Sequence, residues 1–181
     1  MGDGTPRITP GTRRDVGLIG WTVSWVSGRV QCTGPPNLFL TLGRHRRLFL
    51  GWLHFAGRMM PGGRLPRRDT ELVILRVANL RACTYELEHH QHLAGRAGLD
   101  GATVARVAEG PGADGWSPRE RAILTAVDEL HEQQDLTDAA WAALGEHLDE
   151  RQRIELVLLE GHYEMLATAI TTLRVEPDAR R

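Results

Sequence analysis

The chain has 181 residues, 41% of them hydrophobic and 25% charged, which suits one globular domain or two small lobes and excludes disordered, collagen-like and coiled-coil classes. All 22 basic residues are arginine, so no lysine is present to form a Schiff base or to grip a nucleotide phosphate from a P-loop. The net charge of −1 hides a split, because residues 1–70 hold 11 Arg against 3 acids (+8) and residues 71–181 hold 11 Arg against 20 acids (−9). Opposite halves attract each other within a fold or across subunits, and no zinc spacing or aromatic interleaving supports nucleic-acid binding.

Residues 1–14 are rich in Gly, Pro, Thr and Arg and read as a flexible arm. The apolar stretch Val16 to Val26 is too short to span a bilayer and has no cleavage site after it. An amphipathic helix lying on a surface stays open for that stretch. Cys32 and Cys83 are too few for a disulfide framework, which points to a reduced, cytoplasmic setting. A first helix is expected over Val16 to Val30, ended by Gly34-Pro35-Pro36. Leu38, Leu42, Leu48, Trp52 and Phe55 then recur at helical spacing over residues 37–57, with a kink expected at Gly43. Pro61-Gly62-Gly63 makes a turn.

From Pro66, a natural first-turn residue, a buried helix is expected; a strand is the rival reading of Leu72 to Val77, but no strand partner follows. A second helix runs from about Cys83 to Ala97, stopped by Gly98. Asp100 caps a helix from Ala102 to Glu109, Ser117-Pro118-Arg119-Glu120 is a capping box, Thr137 caps a short helix through Leu148, and Asp149 with Gln152 starts the last one. The fold class is therefore all-α, with about seven or eight helices forming a single domain over residues 15–176 and a tail over 177–181. Glu71-Leu72-Val73-Ile74-Leu75 is echoed by Glu155-Leu156-Val157-Leu158-Leu159, in the manner of a duplicated helix pair whose second copy lacks the cysteine.

The chemistry is concentrated between Glu71 and His92. Cys83, Glu86 and His90 fall at i, i+3 and i+7, on one polar face of the second helix. Cys83 at the helix start would feel the positive end of the dipole, which lowers a thiol pKa, and Glu86 with His90 can form a hydrogen-bonded acid/base couple. Glu71 can fold back toward the same spot, where two carboxyls kept partly dry would titrate high enough for proton transfer near neutrality.

Leu65 to Leu99 resembles the carboxymuconolactone decarboxylase and alkylhydroperoxidase D superfamily, which implies an alkylhydroperoxidase D-like helical bundle assembled as a dimer, trimer or hexamer. The redox branch of that superfamily has a glutamate separated by eleven intervening residues from a Cys-x-x-Cys pair and a histidine four positions after the second cysteine. Glu71, Cys83 and His90 match the glutamate, first cysteine and histidine, and Tyr85 stands where many members have tyrosine. Glu86 occupies the place of the second cysteine, which removes the peroxidatic thiol and the internal disulfide. By analogy with the decarboxylase-type members, the resemblance implies a cofactor-independent and metal-free acid/base enzyme, a lyase, decarboxylase or isomerase. Its substrate would be a small organic acid, lactone or enone, with Glu71, Glu86, His90 and Cys83 as catalytic candidates and Tyr85 and His89 as substrate-binding ones.

Each assignment has a plainer structural alternative. Cys83 can be a small buried hydrophobe, Glu86 a salt-bridged residue paired with Arg76 or Arg81, Glu71 a partner of Arg67 or Arg68, and His90 a core histidine bonded to backbone. His162 and Tyr163 can line the pocket, although their helix reads as one that mainly packs. Glu86, His89, His90 and His92 have ligand-like spacing but lack the His-Glu-x-x-His zinc signature. Two other functions stay open: a thiol-dependent peroxide reductase using Cys83 alone, and a non-catalytic oligomeric binding protein.

Overall fold

The structure, a computed structural model, describes residues 5–30 and 33–179; Cys32, the first four residues of the expected arm and the last two of the tail lie outside the described residues. The described residues form nine helices and no strand: α1 (Arg13–Val30), α2 (Asn37–Leu42), α3 (Arg46–Met59), α4 (Arg67–Leu80), α5 (Thr84–Arg96), α6 (Gly101–Glu109), α7 (Pro118–Gln133), α8 (Asp138–Gly145) and α9 (Glu150–Leu173). The all-α fold stands, and the strand reading of Leu72 to Val77 is replaced by helix. The count exceeds seven or eight because the expected kink at Gly43 is a complete break, after which the His45 side chain accepts the Leu48 amide as a new N-cap. A Cβ on Gly43 would lie 2.7 Å from both Phe39 O and Val16 Cγ1, so only glycine lets the chain turn this close to α1. No described helix is long and apolar enough to cross a membrane.

The chain forms two compact units. The first takes the described residues up to Met60 together with those from Thr168 onward. Phe39, Phe49 and Trp52 pack there at centroid distances of 5.4 to 5.7 Å. The stretch expected as an arm is bonded at Arg7, whose amide donates to Leu173 O, and at Gly11, whose amide donates to Leu40 O.

The second unit, Pro61–Ala167, is built around α4, which buries every residue from Asp69 to Ala78. A helix buried all round must satisfy its polar groups internally. Arg76 does so with two bonds to Asp128 (2.6 and 2.8 Å) and two to the carbonyls of Val107 and Ala108. Asp69 accepts two bonds from Arg119. Leu72, Leu75, Ala94, Leu99, Val107, Trp116 and Leu124 make a continuous core, in which each large aliphatic contributes about 1.5–3 kcal/mol.

Local signals fix the helix ends. Asp100 Oδ1 accepts from the Thr103 amide, Ser117 and Glu120 close their capping box, Thr137 caps α8, and Asp149 and Gln152 bond reciprocally. Pro66 is the N-cap of α4 rather than its first helical residue, with extended ψ 142. At the far end of α4 the Cys83 amide donates to Ala78 O and the Ala82 amide to Asn79 O, a Schellman motif with Ala82 in the left-handed position at φ 47. This three-residue reversal brings α5 back along α4. The echoed segment of α9 has a different setting, since Glu155 accepts the Arg64 and Leu65 amides while Val157 and Leu158 are exposed.

Candidate active site

The site lies in the second unit, where α4, α5, α7 and α9 supply its side chains. Glu71 is fully buried near the start of α4. Its Oε2 is 2.9 Å from His90 Nδ1 on α5, and its Oε1 forms an ion pair of 2.5 Å with Arg67, one turn earlier. His90 Nε2 is 3.3 Å from the Tyr163 hydroxyl on α9, and the two rings meet edge to face at 5.3 Å. The expected couple between Glu86 and His90 is thus corrected: His90 uses Glu71 as its carboxylate partner, because the tight α4–α5 reversal sets that acid against the histidine.

Glu86 is 3% exposed and neither of its oxygens has a hydrogen-bond partner. Burial, with the negative charge of Glu164 added, pushes its carboxyl up to about 8. The raised carboxyl expected from two neighbouring acids is therefore present, but the second acid is Glu164 rather than Glu71. Arg76 and Arg81, the partners considered for Glu86, are engaged with Asp128 and Glu164.

Cys83 is the N-cap of α5 and is buried. The amides of Glu86 and Tyr85 pull its thiol down, but burial wins and pushes it up to about 11. The expectation of a thiol acidified by the helix dipole is reversed, because desolvating an anion outweighs a helix end. Tyr85 is buried, its ring stacked on that of the half-buried His89 at 4.6 Å. His92 is exposed. Among the described residues no group of three or more His, Cys, Asp or Glu side chains is arranged to hold a metal ion.

Two residues, Glu164 and Glu160, were not legible as site members. Glu164 on α9 is 2.6 Å from His131 Nδ1 on α7. Glu160, one turn before it, is buried with an Oε1 that lacks a hydrogen-bond partner, and burial with the Glu164 charge pushes it up to about 7. Glu160 shares the buried stripe of Leu156, Leu159, Tyr163 and Ala167, and an acid on an apolar stripe was the signal that could have found it. Nearby His162 is buried, and burial holds its imidazole down at about 4, in the neutral form. The site therefore pairs a compensated chain, Arg67–Glu71–His90–Tyr163, with a poorly solvated acidic side formed by Glu86, Glu160 and Glu164.

The all-α arrangement has the fold of the alkylhydroperoxidase D-like helical bundles. The structure is similar to an uncharacterized peroxidase-related protein from Silicibacter sp. TM1040, at TM-score 0.81 and 12% identity over 98% of this chain and 96% of that one. It is similar also to the alkylhydroperoxidase AhpD core of a peroxidase-related protein from Ralstonia eutropha JMP134, at TM-score 0.78 and 18% identity over 94% and 92% of the two chains. A third similar structure is the debrominase Bmp8, at TM-score 0.78 and 18% identity over 96% and 92%; a cysteine-to-alanine variant of that debrominase was solved with 2,3,4-tribromopyrrole. Among curated proteins we found no match. Residues 46–129 match the model of the carboxymuconolactone decarboxylase family.

Proposed function

We propose that the protein is a cofactor-independent acid/base enzyme, a decarboxylase, other lyase or isomerase, acting on a small organic acid, lactone or enone. The observation that carries this reading is the Glu86 carboxyl, enclosed on the first turn of α5 with neither oxygen hydrogen-bonded. Such a group holds its proton at neutral pH and can deliver it to a carbon or oxygen that gains electron density. Across the site, the Glu71–His90 pair has the opposite character. The carboxylate orients the imidazole and stabilises the cation formed when His90 takes up a proton. Cys83 at the N-cap and the stacked pair of Tyr85 and His89 flank Glu86 on the same helix.

The thiol-dependent alternative is weaker. With its thiol at about 11, Cys83 would be thiolate in roughly one molecule in ten thousand at pH 7, and the thiolate is the reactive form. We also propose that the protein assembles as a homo-oligomer, supported by the exposed apolar stripe of Ile154, Leu158 and Met165 on α9. Light scattering in solution tests that.

The enzymatic reading is tested by proton NMR in D2O with a panel of lactones, β-keto acids and enones, following deuterium incorporation or carbon dioxide loss. Glu86→Gln and His90→Ala should each lower the rate by about 10²–10⁴-fold with unchanged circular dichroism, whereas full activity in both refutes the assignment. Consumption of hydrogen peroxide or of 2,3,4-tribromopyrrole with added thiol, lost in Cys83→Ser, would establish the thiol reading instead.

A further inference from the structure

In the sequence Tyr163 reads as part of a packing helix, yet its hydroxyl completes a chain of three groups. Glu71 Oε2 stands 2.9 Å from His90 Nδ1, and Tyr163 Oη stands 3.3 Å from His90 Nε2. A carboxylate accepts only, so in the neutral imidazole the ring proton sits on Nδ1 and donates to Glu71. Nε2 is then a lone pair, and the phenol donates to it. Carboxylate, imidazole and hydroxyl thus follow the order of a catalytic triad, with tyrosine in the place of the terminal hydroxyl.

The surroundings favour that direction of donation. Glu71 is fully buried and Tyr163 4% exposed, so water does not compete for these bonds. Burial of the ring, followed by the carboxyls of Glu86 and Glu71, raises the phenol well above its usual range, against an opposing effect of Arg67. The phenol therefore stays neutral and keeps its proton as the donor.

We propose that Tyr163 is a catalytic residue whose hydroxyl, activated by His90 and Glu71, is the group that takes the proton from the substrate. This inference rests on the acid/base reading and adds the residue that touches the substrate. As the substrate X–H bond breaks, its proton passes to Tyr163 Oη and the electron pair stays on the substrate. The phenolic proton passes at the same time to His90 Nε2, leaving a neutral tyrosine and an imidazolium facing Glu71. Glu86 supplies the complementary proton, and no oxidant or reductant is needed.

The test is Tyr163→Phe in the full chain, which keeps the ring against His90 and deletes only the hydroxyl. By nitrogen-15 NMR of histidine-labelled protein, the His90 Nε2 resonance should move to the position of an unbonded ring nitrogen while Nδ1–H is retained. With whichever lactone, keto acid or enone the wild type exchanges, kcat should fall by about 10²-fold at unchanged KM. The double variant with His90→Ala should be no slower than His90→Ala alone, since the two groups act as one unit. An unmoved Nε2 resonance, or full kcat in Tyr163→Phe, overturns the proposal. A wild type that exchanges none of the probes while Nε2 does move overturns the acid/base reading, and with it any catalytic role for Tyr163, leaving the bond as a structural one.

Discussion

Two glutamates fifteen positions apart, Glu71 on α4 and Glu86 on α5, are removed from water to nearly the same degree and yet live in opposite electrostatic worlds. Glu71 has an arginine on one oxygen and a histidine on the other, so its charge is compensated where it lies. Glu86 has no hydrogen bond to either oxygen and a like charge acting on it. Burial alone therefore does not set the chemistry of a carboxyl; the partners that accompany it do. One acid is paired so as to organise an imidazole, and the other is placed to hold a proton and part with it.

The comparison breaks most visibly in turnover. Glu86→Gln cannot deliver a proton and His90→Ala cannot accept one, and both should lose about two to four orders of magnitude; equal retention of activity would mean that neither side of the site is chemical.

Stability gives a sharper contrast, because the two acids should respond with opposite signs. The Glu86 carboxyl titrates at about 8 in the folded protein against 4.5 in the unfolded chain. Below the lower value both states are protonated and burial of the acid carries no ionisation penalty. As pH rises between the two values the unfolded chain ionises while the folded protein does not, so folding is progressively penalised. Glu86→Gln should consequently raise Tm relative to wild type at pH 8, by an amount worth a few kcal/mol, and the gain should vanish near pH 4. Thermal denaturation at the two pH values measures it, and a variant less stable than wild type at pH 8 would contradict the unpartnered state of Glu86. Glu71→Gln should do the reverse and cost about 1–3 kcal/mol at neutral pH, since His90 and Arg67 both lose their counter-charge.

The smallest effect concerns the ends of the helices that carry these acids. Both α4 and α5 close with the same pair of Schellman hydrogen bonds, but α5 places Gly98 at the left-handed position (φ 82) and α4 places Ala82 there (φ 47). Ala82→Gly should raise stability by about 1 kcal/mol, read as a shift in urea midpoint. It should also loosen the reversal that sets Cys83 and Glu86 in place, so a modest loss of turnover should accompany the gain.

Much of the architecture was written locally. Ser117 and Glu120, Asp100 and Thr103, Thr137 and Ala140, Asp149 and Gln152 each meet within three residues, so the chain around them suffices to place a helix start. Gly43 was harder, because a kink and a full break look alike until Val16 is found against the glycine. The helical spacing of Cys83, Glu86 and His90 was equally local, and so was their common face.

The partners of those residues were not. Glu71 reaches His90 across 19 positions, Tyr163 reaches it across 73, and His131 meets Glu164 across 33, separations over which no periodicity carries information. The amino-acid order by itself determined an all-helical chain, its caps and a short segment dense in acids, histidine and cysteine, since helix formation is governed by neighbours three and four residues away. Only the tertiary structure decided that His90 would answer to Glu71, that Cys83 would be too desolvated to ionise and that Glu86 would stand alone, because the free energy of a buried charge depends on which distant groups, or none, the fold brings beside it.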